Sequence, residues 1–146
     1  MKLDCFIGLM LNRAMRKCKQ VLMTHLNEFD ITPEQAAIIR HLGEIEGISQ
    51  KELATRVDKD QTNITRILDQ LERKGMIRRE LNLEDRRSYF TYLTVKGRMI
   101  DESLRPIEEQ VMKLALKDFS DEQREMFLEM MNKVISNLES SINKDI

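Results

Sequence analysis

Apolar residues recur along the first thirty positions at Ile7, Leu11, Ala14, Cys18, Val21, Leu22, Leu26 and Phe29, a three-four spacing that predicts one long amphipathic helix. Asp30 and Ile31 end it. Thr32, Pro33, Glu34 and Gln35 then supply a hydroxyl cap, a proline at the first helical position and a glutamine three residues past the cap, the signature of a helix start. This second helix runs to about Gly43. Ser49-Gln50-Lys51-Glu52 repeats the capping box, and Leu53, Ala54 and Val57 give a short third helix its inward face. Asp60 caps a fourth, in which Ile64, Ile67, Leu68 and Leu71 point one way and Thr62, Arg66, Asp69 and Arg73 the other, until Gly75 stops it.

Beyond Gly75 the pattern shifts from helical spacing to alternation. Met76 to Arg79 reads as a short strand, and Ser88 to Thr94 sets Tyr89, Thr91 and Leu93 against Phe90 and Tyr92, so two strands should form a hairpin around the polar loop Asn82 to Arg87. The tail returns to helix. Thr94 caps a fifth helix with Ile100, Leu104, Ile107, Val111 and Leu114 on one stripe, and a sixth begins near Ser120 with Phe127, Met130, Met131, Val134 and Leu138. Pro106 falls inside the fifth helix, where it removes a hydrogen bond and crowds the preceding turn, so a kink is expected between Ser103 and Pro106. A hairpin directly after a helix-turn-helix is the order of a winged helix. The expected fold is mainly α with a small β-hairpin wing, an α+β winged helix-turn-helix over residues 32–98 flanked by helices in residues 1–30 and 99–146.

Composition narrows this to a compact unit. The 146 residues are 41% hydrophobic and 34% charged, with five glycines and two prolines spread along the chain, which suits one domain with a modest core and a well-solvated surface. The longest apolar run, Cys5 to Leu11, is too short to span a bilayer and is followed by Asn12 and Arg13 instead of a cleavage site, so no membrane segment and no export signal are expected. Cys5 and Cys18 lie in one helical stretch and make no disulfide framework; their ordinary reading is as small apolar helix residues, and a reducing cytoplasm is the expected location. Charge is uneven. Residues 40–100 carry thirteen basic and ten acidic side chains, whereas residues 101–146 carry six and eleven, an excess of +3 against −5.

Candidate chemistry follows from where the basic and polar groups fall. A DNA major groove about 12 Å wide admits one helix whose N-terminal polar groups meet base edges while its apolar side stays on the protein core. Gln61, Thr62, Asn63, Thr65 and Arg66 occupy that part of the fourth helix; on an isolated helix they would read as a solvated face, and the neighbouring wing gives them a second meaning. The chain has two histidines, no glycine-rich phosphate loop, no Gly-x-Ser-x-Gly and no clustered metal ligands, so an enzyme is excluded and neither metal nor cofactor is expected. The methionines of the tail fall at helical spacing and read as a packed stripe. The competing class is a winged-helix module that binds protein instead of DNA, and such a module has no need of Arg66, Arg86 and Arg87 on its groove-facing elements.

Several ordered strings resemble the MarR family of bacterial and archaeal regulators: Glu52-Leu53-Ala54, Asn63-Ile64-Thr65-Arg66, Leu71 through Arg79, Asp85-Arg86-Arg87, and Leu93-Thr94 with Gly97. The close matches span about residues 32 to 98. The resemblance implies a transcriptional regulator, acting as a repressor, in which Arg87 reaches the minor groove while Asp85 holds its side chain and Arg86 meets the backbone. It implies that Ser49, Lys59, Arg73, Arg78 and Arg79 contact phosphates, which fix register and supply salt-dependent affinity. It places dimerisation in residues 1–30 and 99–146, consistent with three apolar stripes that one copy leaves partly open, and so implies a homodimer on a palindromic operator in double-stranded DNA. Members of the family often respond to small aromatic or phenolic acids or to oxidation of a cysteine, which implies an effector that these residues do not themselves identify. Lys59 stands where many members carry a hydrophobic residue, just before the recognition-helix cap.

Overall fold

The computed structural model describes residues 2–144, which fall into two compact units divided between Val111 and Met112. The order of elements is α1 (Ile7–Leu26), α2 (Pro33–Glu44), β1 (Ile48–Ser49), α3 (Gln50–Arg56), α4 (Gln61–Arg73), β2 (Ile77–Leu81), β3 (Tyr89–Leu93), α5 (Val95–Ala115) and α6 (Asp121–Lys144), with 3-10 turns at Leu3–Cys5 and Asn27–Phe29. The α+β winged-helix class expected from the sequence is the one observed, with one enlargement. The sheet has three strands in the order β1-β3-β2, both pairs antiparallel, because Ile48 and Ser49 pair with Thr91 and Phe90. Two residues are too few to show alternation, so β1 left no mark in the hydrophobic pattern.

Local sequence explains the helix boundaries. Thr32 caps α2 through a reciprocal box: its hydroxyl accepts the Gln35 N–H at 3.1 Å and the Gln35 side chain accepts the Thr32 N–H at 3.2 Å. The second expected box is only half formed. Ser49 accepts the Glu52 N–H at 3.1 Å, but the Glu52 carboxylate turns to Arg56 one helical turn on instead of returning to the cap. Asp60 caps α4 by accepting the Asn63 N–H at 2.8 Å. Lys74 closes that helix, and Gly75 takes φ 74°, a left-handed turn that a side chain resists, so that the chain swings directly into β2. Thr94 caps α5 through the Gly97 N–H at 3.2 Å. Pro106 sits within α5, which runs as one helix from Val95 to Ala115.

The core of the first unit is built by α2, α3, α4, the sheet and the first half of α5. Ile38, Ile39, Leu42, Leu53, Ile64, Ile67, Leu68, Leu71, Ile77 and Leu104 are fully buried, joined by Leu26 from the end of α1, and each such side chain contributes roughly 1.5–3 kcal/mol of hydrophobic stabilisation. The rest of α1 is different. Only Leu22 and Phe29 among its other stripe residues pack on this core, while Ile7, Leu9, Met10, Met15 and Met23 are exposed, as are Cys5 and Cys18, which the sequence suggested would be buried. Along α5, Ile100 and Leu104 are buried, Ile107 and Val111 half-buried, and Leu114 exposed.

The second unit carries α6. Ser120 and Gln123 form a further reciprocal cap at its start, with contacts of 3.1 and 2.9 Å. Phe119 meets Phe127 edge to face at 5.9 Å between ring centres. Within the expected stripe Met131 and Val134 are half-buried, whereas Phe127, Met130 and Leu138 are exposed together with Met126 and Ile142.

Candidate nucleic-acid interface

The outward side of α4 is a continuous polar edge. Its core side is filled by Ile64, Ile67, Leu68 and Leu71, so helical geometry forces Gln61, Thr62, Thr65, Arg66, Asp69 and Arg73 onto the opposite side, where they line a shallow open groove. Gln61, Thr62, Asn63, Thr65 and Arg66 are all exposed. They are not equally free. The Thr65 hydroxyl donates to the Gln61 carbonyl at 2.8 Å and accepts from the Gln50 amide at 2.7 Å, which ties it to α3. The Asn63 amide donates to the Asp60 carboxylate at 3.2 Å, leaving its carbonyl oxygen and one N–H to face outward. Among the described residues the side chains of Gln61, Thr62 and Arg66 have no hydrogen-bond partner, and these three are the groups most ready to meet a base edge.

The wing is a tight loop held by its own backbone. The Asn82 N–H donates to the Ser88 carbonyl, the Glu84 N–H to the Asn82 side chain, and the Ser88 N–H to the Asp85 carbonyl, each at 3.0 Å. Here the sequence expectation needs correction. Asp85 does not grip the Arg87 guanidinium; its carboxylate accepts the Arg87 backbone N–H at 3.0 Å, so it shapes the turn and leaves the side chain loose. A short aspartate two residues away reaches the amide more easily than the end of an extended arginine. Arg86 and Arg87 are exposed and have no ion-pair partner among the described residues.

The residues expected to meet phosphates fall into two groups. Ser49 accepts a helix N–H yet keeps its hydroxyl proton to donate, and Arg73 commits only Nε, to the Asp69 carbonyl at 3.3 Å. Lys59 is half-buried; against the desolvation of burial, a backbone hydrogen bond and the Lys19 ion pair hold the Glu34 carboxyl below its usual range, and the Lys59 charge adds a little to this. Arg78 lies over the Tyr92 ring with 4.3 Å to its centre and pairs with Glu80. Arg79 departs from expectation: its guanidinium is 17% exposed and is taken by Asp69 at 2.6 Å and by both oxygens of Glu72 at 3.1 and 3.2 Å. The hydrogen bond to Glu72 raises the Arg79 pKa, and the same bond holds the Glu72 carboxyl below its usual range. Arg79 therefore fastens β2 to α4 and is not available to a phosphate.

Two further polar clusters escaped the sequence reading. Gln35, almost wholly buried, donates to Gln70 at 3.0 Å and accepts from Lys74 at 3.0 Å, while Lys74 also donates to the Asp30 carbonyl, so the start of α2 and the end of α4 are held together. Arg40 on α2 donates to the buried Asp101 on α5 at 2.6 Å and to Glu108 at 2.9 Å. Neither has a signal in spacing, since the partners lie 35 to 68 residues apart. Among the described residues no cluster of His, Cys, Asp or Glu is arranged to hold a metal ion, and no helix is long and apolar enough to cross a membrane.

Comparison with known proteins places this geometry in context. The sequence profile of the MarR family matches residues 31–89. The chain is 26% identical over 130 residues to the transcriptional regulator HosA of Escherichia coli, an alignment covering 86% of this chain and 96% of HosA. Its fold superposes on the crystal structure of MarR with a TM-score of 0.88 and 28% identity, covering 99% of this chain and 98% of the other. A crystal structure of the S. aureus MepR-DNA complex shares the fold at a TM-score of 0.83 with 24% identity, over 90% of this chain and 98% of that one.

Proposed function

Because the chain belongs to the MarR family of winged helix-turn-helix transcriptional regulators, not enzymes, we propose that it binds double-stranded DNA sequence-specifically, as a homodimer on a palindromic operator, and represses from there. One observation carries this reading. Of the cations on the polar edge, Arg66 on α4 and Arg86 and Arg87 on the wing are left without partners, whereas Arg79 beside them is doubly neutralised. Other surface cations, such as Arg13 and Arg16, are unpaired too among the described residues; what sets Arg66, Arg86 and Arg87 apart is that they stand on the two elements that fit the major and the minor groove. In this reading Gln61, Thr62, Asn63 and Arg66 contact bases, Thr65 braces them from α3, Arg87 enters the minor groove, and Arg86, Arg78, Arg73, Lys59 and Ser49 contact phosphates. Asp85 sets the wing turn from which Arg86 and Arg87 project.

Residues 32–98 form the reading head, and residues 1–30 and 99–146 join two copies. The apolar side chains that α1, the end of α5 and α6 leave exposed support this, since an isologous contact buries such a face against its own equivalent. Two recognition helices about 34 Å apart, one turn of duplex, then read two half-sites and combine their affinities. A small aromatic acid that favoured a different separation of the heads would release the operator. The protein works in the cytoplasm, where the operator is. Selection of tight binders from a random duplex pool at near-physiological salt tests the reading: a palindrome should emerge, and failure to enrich any sequence would return the chain to the protein-binding class.

A further inference from the structure

We propose that Arg40 and Asp101 are positioning residues that fix the seat of α5 on α2 and thereby set which spacing of half-sites the protein accepts. Asp101 lies on α5 with 4% of its surface exposed, among Ile100, Leu104 and the α2 face. One carboxylate oxygen accepts Arg40 Nη1 at 2.6 Å and the other accepts Arg105 Nη2 at 3.2 Å. Arg40 also extends Nε to Glu108 at 2.9 Å and lies 3.6 Å from Glu44 of its own helix. The approach is close on the α2 side too, for a methyl group at Gly43 would stand 2.2 Å from the Asp101 carboxylate.

An ion pair in this place is not explained by stability. Replacing Arg40 and Asp101 together by apolar side chains of similar volume would cost little, because taking two charges out of water offsets most of their attraction. What the pair adds is direction. Apolar contacts resist separation but allow a helix to roll and slide, whereas the planar fork of Arg40 reaches Asp101 and Glu108, seven residues or about 10 Å apart along α5, and so fixes both tilt and rotation. The first half of α5 is seated in the core, and its last turns emerge with Met112 and Leu114 exposed. A helix of 21 residues is about 30 Å long, so a tilt of about 5° at the clamp moves the far end by roughly 2 Å, more than half the rise of one base pair. The inference rests on the proposed dimer, in which these exposed turns help carry the second copy.

The test uses the full-length protein and duplexes built from the selected palindrome, identical in their half-sites, with the centre lengthened or shortened by one or two base pairs. The wild type should prefer one spacing by about tenfold over its neighbours, as two coupled half-sites require. Asp101→Asn, which keeps the shape and an oxygen to accept from Arg40 but loses the charge and the acceptor for Arg105, should reduce that preference to about two- to threefold while affinity for a single half-site stays the same. Arg40→Lys, which cannot serve Asp101 and Glu108 together, should fall between. A loss of affinity equal at every spacing, alongside a lowered thermal midpoint, would make the pair merely structural and overturn the proposal. Should Asp101→Asn fail to fold, Glu108→Gln, altered at a half-exposed rim, asks the same question: a partial loss of preference supports the clamp and an unchanged one overturns it. A wild type indifferent to spacing would instead fail the dimeric reading itself, and the clamp with it.

Discussion

The winged region and the helices around it solve the burial problem in different ways. From α2 to the middle of α5, a single copy closes its own core, with ten large apolar side chains fully hidden and every helix start capped by the residue the sequence provides. In α1 and α6 the same amphipathic spacing produces well-formed helices whose stripes, Leu26 apart, are only half-buried or exposed. Periodicity therefore fixes where a helix forms and which side is apolar, but not what the apolar side meets. The contrast is what the proposed division of labour rests on: a self-contained head that presents cations, and open apolar faces of the kind a second copy would bury.

The largest effect should come from the closed region. Leu68→Ala removes a fully buried side chain from the recognition helix and should lower stability by about 2–5 kcal/mol, measured by chemical denaturation. A loss under about 1 kcal/mol would mean the head is less self-contained than it looks. Removing residues 120–146 attacks the open region instead, and should abolish dimerisation and operator binding together while residual binding to random DNA persists. If the shortened protein bound the operator as tightly as the full chain, the division of labour would be wrong.

Arg87→Ala should weaken operator binding by about 1–3 kcal/mol without moving the thermal midpoint, because the side chain has no partner within the fold. An unchanged affinity removes Arg87 from the interface. Asn63→Ala and Arg66→Ala should weaken the operator more than random DNA, and an equal loss on both would replace base reading by phosphate contact. The smallest effect concerns the Arg79 clamp. The Glu72 carboxyl titrates below its unfolded value because Arg79 donates to it, so the clamp contributes in full above the ordinary glutamate range and is lost as pH falls through the lowered value. The protection factors of the β2 amides, corrected for the intrinsic exchange rate at each pH, should fall across that acid interval, and Arg79→Gln should remove the dependence.

Much of the fold was legible because its signals are local. Thr32, Ser49, Asp60, Thr94 and Gly75 each act within a turn of the chain, and all five stand where the boundaries fall. Long-range pairing was not legible: β1 depends on a partner strand some forty residues on, and no two-residue pattern announces it. The interface divides in the same manner. Helical phase alone puts Gln61, Thr62 and Arg66 outward, but which arginine is spent on a neighbour is decided by tertiary placement, so Arg78 and Arg79 look alike in sequence while only Arg79 is drawn into a two-carboxylate clamp. Asp85 shows the limit at short range, since its role in shaping the turn and its role in holding Arg87 are equally consistent with the string Asp85-Arg86-Arg87.

The claim that two copies are needed to read the operator is tested most directly by sedimentation of the full-length protein at micromolar concentration, alone and with the selected palindrome. The account predicts a dimer in both conditions, and one dimer per palindrome. A stable monomer that nevertheless binds the palindrome tightly would contradict it.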